Sequence, residues 1–193
     1  MADPSASTGK ILVPNLVTDP VWSLDPWPVT IQLGRRELEI PALPARDWLA
    51  VLMVADFVPE AVLPGLLDDP AEGDEEIGDA LLAGEVDPEE LDQAVLDVIT
   101  AVSGRPWWVA MRLIGTARGA WQTIGAEMIM KVDAARISLS AWLDVALLLM
   151  MRNIDEQQAT MFALQLEAPP PNVDMETVEP EMAASSFLAM GDG

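Results

Sequence analysis

Apolar and polar residues alternate at Val29, Ile31 and Leu33 and again at Leu38 and Ile40, on either side of Gly34-Arg35. A period of two flanking a glycine turn predicts a short β-hairpin. Two strands alone are marginal in water, so the hairpin must pack on other elements. From Asp47 onward the pattern is helical. Asp47 is placed to cap "WLAVLMVADFV", a helix that ends before Pro59. Residues 61–67 read as a poorly defined turn, and "LDDPAEGDEEIGDALLAGEV" as a loop running into a short helix that ends near Gly84.

The firmest signals lie in "DPEELDQAVLDVITAVSG". Asp87 is the expected N-cap, Pro88 the first helical residue, Glu90 the partner closing a capping box and Gly104 the stop. Leu91, Val95, Val98, Ile99 and Val102 form its apolar face. Pro106 opens the next helix, 106–131, in which Gly115, Gly119 and Gly125 predict either a break or close helix contact. A further helix over 138–152 is capped by Ser138 or Ser140. Another over 155–167 starts at Asp155 and ends at "PPP". The expected architecture is mainly α, a small N-terminal β-hairpin packed on a helical bundle. Residues 1–26 read as an irregular leader, 27–168 as the hairpin and helical domain, and 169–193 as a Pro-rich, acidic flexible tail.

Charge changes this picture more than size does. Lys and Arg number 10 against 32 Asp and Glu, for a formal charge of -22. A phosphate backbone requires a basic surface, so nucleic acid is excluded as a direct ligand, and an anionic lipid surface for the same reason. The acids are unevenly placed. Between Arg46 and Arg105 there are sixteen and no base, whereas 105–152 carries six bases against Glu127, Asp133 and Asp144. Residues 153–193 add eight acids and no base. The acidic block serves as a solvated face, or as a segment folding back over the apolar, mildly basic half. The most apolar run, "AWLDVALLLMM", is about half the roughly 20 residues that a membrane span needs, and the first fifteen residues show no signal-peptide pattern.

No catalytic apparatus is legible. Histidine and cysteine are both absent, which removes thiolate zinc sites, imidazole acid–base chemistry and the usual nucleophilic triads. The pairs Asp68-Asp69, Glu75-Glu76 and Glu89-Glu90 lie in solvent-loving sequence or in a helix first turn, where the macrodipole accounts for them. "DPAEGDEE" lacks EF-hand spacing, and no phosphate-binding glycine loop occurs. The expectation is a protein without catalysis, metal or cofactor.

"SGRPWWVAMRLI" places Trp107 beside Trp108, about 100° apart on a helix. One face of a core does not easily hold both. Methionine is soft and adaptable, suited to a surface that accepts varied apolar sequence, and "LLLMM" supplies more consecutive apolar positions than one helix face buries. A bundle core and a partner groove therefore draw on the same residues. The candidate partner set is Trp107, Trp108, Met111, Ile114, Trp121, Met128, Trp142, Leu148, Met150, Met151 and Phe162, with Trp108 and Met111 able to pack inward while Trp107 and Met151 face outward.

A hairpin ahead of "IPALPARDWLAVL", an acidic loop, then "GRPWWVAMRLI", "SLSAWLDVALLLMMRN", "MFALQLEAPPP" and an acidic end together resemble the tail assembly chaperones of long-tailed, siphovirus-type actinobacteriophages, over roughly residues 27–190. That resemblance implies a protein of the host cytoplasm, left out of the mature virion, which binds the long apolar tape measure protein and keeps it soluble until tail tube protein polymerises around it. It also implies several copies per client and a longer, frameshifted form of the same protein as a partner. Two other classes stay open: a structural tail or connector subunit, in which the same surfaces form ring interfaces, and an acidic inhibitor that mimics nucleic acid through its 68–97 cluster.

Overall fold

The computed structural model describes residues 23–53, 62–152 and 154–171. Residues 1–22 of the expected leader (1–26) and 172–193 of the expected tail (169–193) lie outside the described residues. The chain is mainly α with one N-terminal hairpin: β1 (Val29–Leu33), β2 (Arg36–Ile40), α1 (Ala45–Leu52), a 3-10 turn (Pro64–Leu66), α2 (Pro70–Leu82), α3 (Pro88–Ser103), α4 (Trp107–Gly119), α5 (Trp121–Lys131), α6 (Leu139–Met151) and α7 (Glu156–Glu167).

The hairpin follows its alternation. β1 and β2 pair antiparallel with Ile31 opposite Leu38 and Leu33 opposite Arg36, and Val29, Ile31, Leu33, Leu38 and Ile40 are all buried. Gly34 has φ 58, which suits the first position of a two-residue hairpin turn. Two contacts tie the turn to the helices. Its Gly34 N–H donates to Glu90 Oε1 at 2.9 Å, and the Arg36 guanidinium bonds Glu76 at 2.8 Å and Glu85 at 3.3 Å. A Cβ on Gly34 would stand 2.7 Å from the Glu85 carbonyl oxygen. Gly34→Ala is therefore expected to lower stability by about 1–2 kcal/mol from the left-handed backbone alone, more with the clash, as a fall in the urea midpoint at unchanged slope.

α3 forms as its caps predict, with one difference. The Asp87 carboxylate accepts from Glu89 N–H at 2.9 Å, and Gly104 ends the helix at φ 64. Glu90, expected to close a capping box, instead reaches out to Gly34. A tertiary acceptor role has displaced the local one. The five residues of the expected face are buried, and α3 packs on β1, α4 and α6.

α1 begins at Ala45 and not after Asp47. Its first N–H groups find acceptors in a distant loop, Ala45 donating to the Ile137 carbonyl and Arg46 to that of Ala134, both at 2.8 Å. With those donors satisfied, no side-chain cap is required, and Asp47 sits in the first turn, bonded by Arg46. The end of the expected helix, 54–58, is outside the described residues. α2 also starts earlier than expected, at Pro70, because the Asp69 carboxylate accepts from Ala71 N–H at 3.0 Å. Asp69-Pro70 repeats the Asp87-Pro88 start.

The expected helix 106–131 is two helices, broken at Ala120 immediately after Gly119. α6 is apolar nearly all round, and such a helix belongs inside. It packs on α1, α3, α4 and α5. Ser138 caps it, accepting from Ala141 N–H at 3.1 Å, and its own hydroxyl donates to the Ser23 carbonyl at 2.6 Å while its N–H donates to that of Leu24. Residues 23–24 of the expected leader are thus fastened to the start of α6. α7 begins with a complete capping box between Asp155 and Gln158 and ends before Ala168.

Candidate interaction surface

The tryptophan pair divides between inside and edge. Trp107 and Trp108 meet edge to face, centroids 5.8 Å apart and planes at 89°, the geometry favoured by the ring quadrupoles. Trp108 is buried, and its indole N–H donates to the Glu167 carbonyl at 3.3 Å. Trp107 is half-buried against the core, its backbone N–H held by Thr100 Oγ1 at 3.2 Å across the α3–α4 connection.

Beside Trp108, Arg112 gathers the end of α7. One guanidinium nitrogen donates to the Gln165 carbonyl at 2.8 Å, to that of Leu166 at 3.0 Å and to that of Ala168. The last carbonyls of a helix lack partners of their own, and a cation there also meets the negative end of the dipole. Burial raises the pKa of neighbouring Glu167. Arg105, two residues before α4, pairs with Asp144 in the middle of α6.

The eleven sequence-derived candidates fall into three groups. Trp108, Ile114, Met128 and Trp142 are core side chains. In this fold a partner reaches them only if the bundle opens, so they are removed from the docking surface. Trp107, Met111, Met150, Met151 and Phe162 are half-buried and packed against that core. Only Trp121 (41% exposed) and Leu148 (56%) stand well out to solvent.

α5 carries surface residues the sequence pattern did not single out, Ile129 at 72% and Met130 at 79% exposed. On a helical projection they lie about 100° and 160° around from buried Met128, a signal present in "EMIMK" but masked by its uniform apolarity. Trp121 lies over Gly125, where a Cβ would come within 2.8 Å of the indole. The glycine thus provides the seat that orients the ring. Leu148 projects from α6 one turn before Arg152, whose guanidinium reaches Glu127 of α5 at 2.7 Å. Lys131 bonds the same carboxylate at 2.8 Å. Hydrogen bonds first from Lys131 and then from Arg152 hold the Glu127 pKa below its ordinary value. This shared carboxylate fixes α5 to the end of α6. α7 adds Met161 and Leu164, both more than half exposed.

An open groove of about 270 Å³ lies between Leu24, Val132, Ile137 and Val145, with Lys131 and Asp144 at its margin. Among the described residues no group of three or more acidic side chains is placed to hold a metal ion, and no helix is long and apolar enough to cross a membrane. What the surface offers chemically is apolar contact area within the mildly basic 105–152 stretch of an otherwise acidic chain. Comparison with family models, with curated proteins and with solved structures returns no match.

Proposed function

We propose that this chain is a client-binding chaperone of phage tail assembly that holds an apolar helical tape measure protein in solution, and that it carries out no chemistry of its own. The observation that supports the reading is the exposure of large apolar side chains on the neighbouring helices α5 and α6: Ile129 and Met130, with Trp121 at the start of α5 and Leu148 on α6. Large apolar side chains held out to solvent on two adjacent helices supply contact area for a protein partner. Methionine and an edge-seated tryptophan adapt to successive stripes of a helical client. The charge of -22 keeps the loaded complex soluble.

The test is co-expression with a tape measure protein of a long-tailed phage, reading the client's soluble fraction. Client soluble only in the presence of this chain, and co-purifying with it, is the expected result. The triple variant Trp121→Ser, Met130→Ser, Leu148→Ser is expected to return the client to the pellet. Its helical circular dichroism stays unchanged, because exposed substitutions cost within about 0.5 kcal/mol each. A client equally soluble without this chain, with the chain found instead in purified particles, replaces the chaperone by a structural subunit.

A further inference from the structure

Opposite charges are segregated along the chain, and the fold gives them to separate helices. Between Arg46 and Arg105 lie sixteen acids and no base, whereas 105–152 carries six bases against three acids. α2 belongs to the acidic stretch and packs on the 3-10 turn. α5 belongs to the basic stretch and packs on α4 and α6.

Each of the two helices has an outer face of its own composition. α2 turns Gly73, Ile77 and Ala80 inward. At about 100° per residue, Glu75, Asp79 and Leu82 fall on the opposite side, and all three are exposed, Leu82 by 89%. α5 buries Ile124, Gly125 and Met128, and its opposite side carries Gln122, Ala126, Ile129 and Met130, all exposed. Lys131 and Arg152, each about half exposed, share the single carboxylate of Glu127. Two cations on one anion leave a net positive charge beside the outer face of α5.

The two faces are complementary to each other and not to themselves. α2 against α2 sets carboxylates against carboxylates, and α5 against α5 sets cations against cations. α2 against α5 joins apolar side chains to apolar side chains and brings opposite charges together, the arrangement that steers and orients association. We propose that α5 of one copy docks on α2 of a second copy of this chain, with Leu82 against Ile129 and Met130, and Glu75 and Asp79 toward Lys131 and Arg152. Two different faces make the contact heterologous, so each end of a pair keeps one face open and the assembly extends to a ring or a filament. The total charge of -22 opposes the approach of copies at long range and keeps the contact weak. The proposal goes beyond the client reading and does not rest on it. On α5, client and neighbouring copy take the same face, so one excludes the other.

Sedimentation velocity of the purified full chain, from about 5 to 500 μM, covers the range of a weak contact. The weight-average sedimentation coefficient is expected to rise with concentration. Two variants each remove one face at exposed positions, so helical circular dichroism stays unchanged. Glu75→Gln, Asp79→Asn and Leu82→Ser disable α2, and Ile129→Ser with Met130→Ser disables α5. Each variant alone is expected to associate about tenfold more weakly or not at all. Mixed together they are expected to form a 1:1 dimer and nothing larger, because each supplies the face the other lacks. A wild-type chain that stays monomeric throughout, an α2 variant that associates as the wild type does, or a mixture that stays monomeric overturns the proposal. No client enters the measurement, so its failure and the failure of the client reading are separate results.

Discussion

Trp142→Ala is expected to lower the free energy of unfolding by about 3–5 kcal/mol, read as a large fall in the urea midpoint. Trp142 is 3% exposed in the first turn of α6, the helix that touches α1, α3, α4 and α5. Removing the indole leaves a cavity in the core beside a helix that packs on four others. Against a typical total of about 5–15 kcal/mol, such a loss leaves the fold marginal. The experiment also separates two roles that the sequence cannot separate. A tryptophan used only for docking would change stability by no more than about 0.5 kcal/mol when truncated and would weaken client retention instead. A stable Trp142→Ala variant would therefore return this residue to the surface and call the packing of α6 into question.

The hairpin and α3 were legible because their signals are local. Alternation about Gly34 needs no knowledge of the rest of the chain, and Asp87-Pro88 with Gly104 specifies both ends of a helix from its own residues. The Asp155 start of α7 belongs to the same class. Where a helix end is satisfied from a distance, local reading fails: nothing near Ala45 announces that the carbonyls of Ala134 and Ile137 will receive its first N–H groups. Glu90 shows the converse, since its spacing from Asp87 fits a capping box and its carboxylate is taken by a hairpin turn 56 residues away.

The candidate surface was harder to read for a related reason. Periodicity shows that a helix has an apolar face but not whether another element covers it. In "LLLMM", Leu147 and Leu149 are buried, Leu148 is bare, and Met150 and Met151 are half-covered. Only the positions of the neighbouring helices decide among them. The tryptophan pair was identified as a place where two needs compete, and its resolution depends on α7. Trp108 is enclosed because the end of α7 lies over it, and that end is where it is because of Arg112, a residue without apolar character to draw attention.

Arg112→Met tests this dependence. α7 has a single fully buried side chain, Leu166, with Phe162 only half-covered, so apolar burial alone holds it weakly. Hydrogen bonds from a charged donor contribute about 1.5–3 kcal/mol each at most, and here three carbonyls share one guanidinium nitrogen, so a loss near the lower end of that range is expected. Methionine keeps the length and the apolar stem, confining the change to the lost donors. The expected result is local: amide exchange across 156–167 accelerates while α3 and α6 keep their protection, the behaviour of a weakly held unit opening by itself. Trp108 emission shifts to the red as its cover lifts. If α7 also presents Met161 and Leu164 to a client, client retention falls in step with that exchange. Unchanged exchange in α7 would mean that Leu166, Phe162 and the Trp108 hydrogen bond suffice to hold the helix.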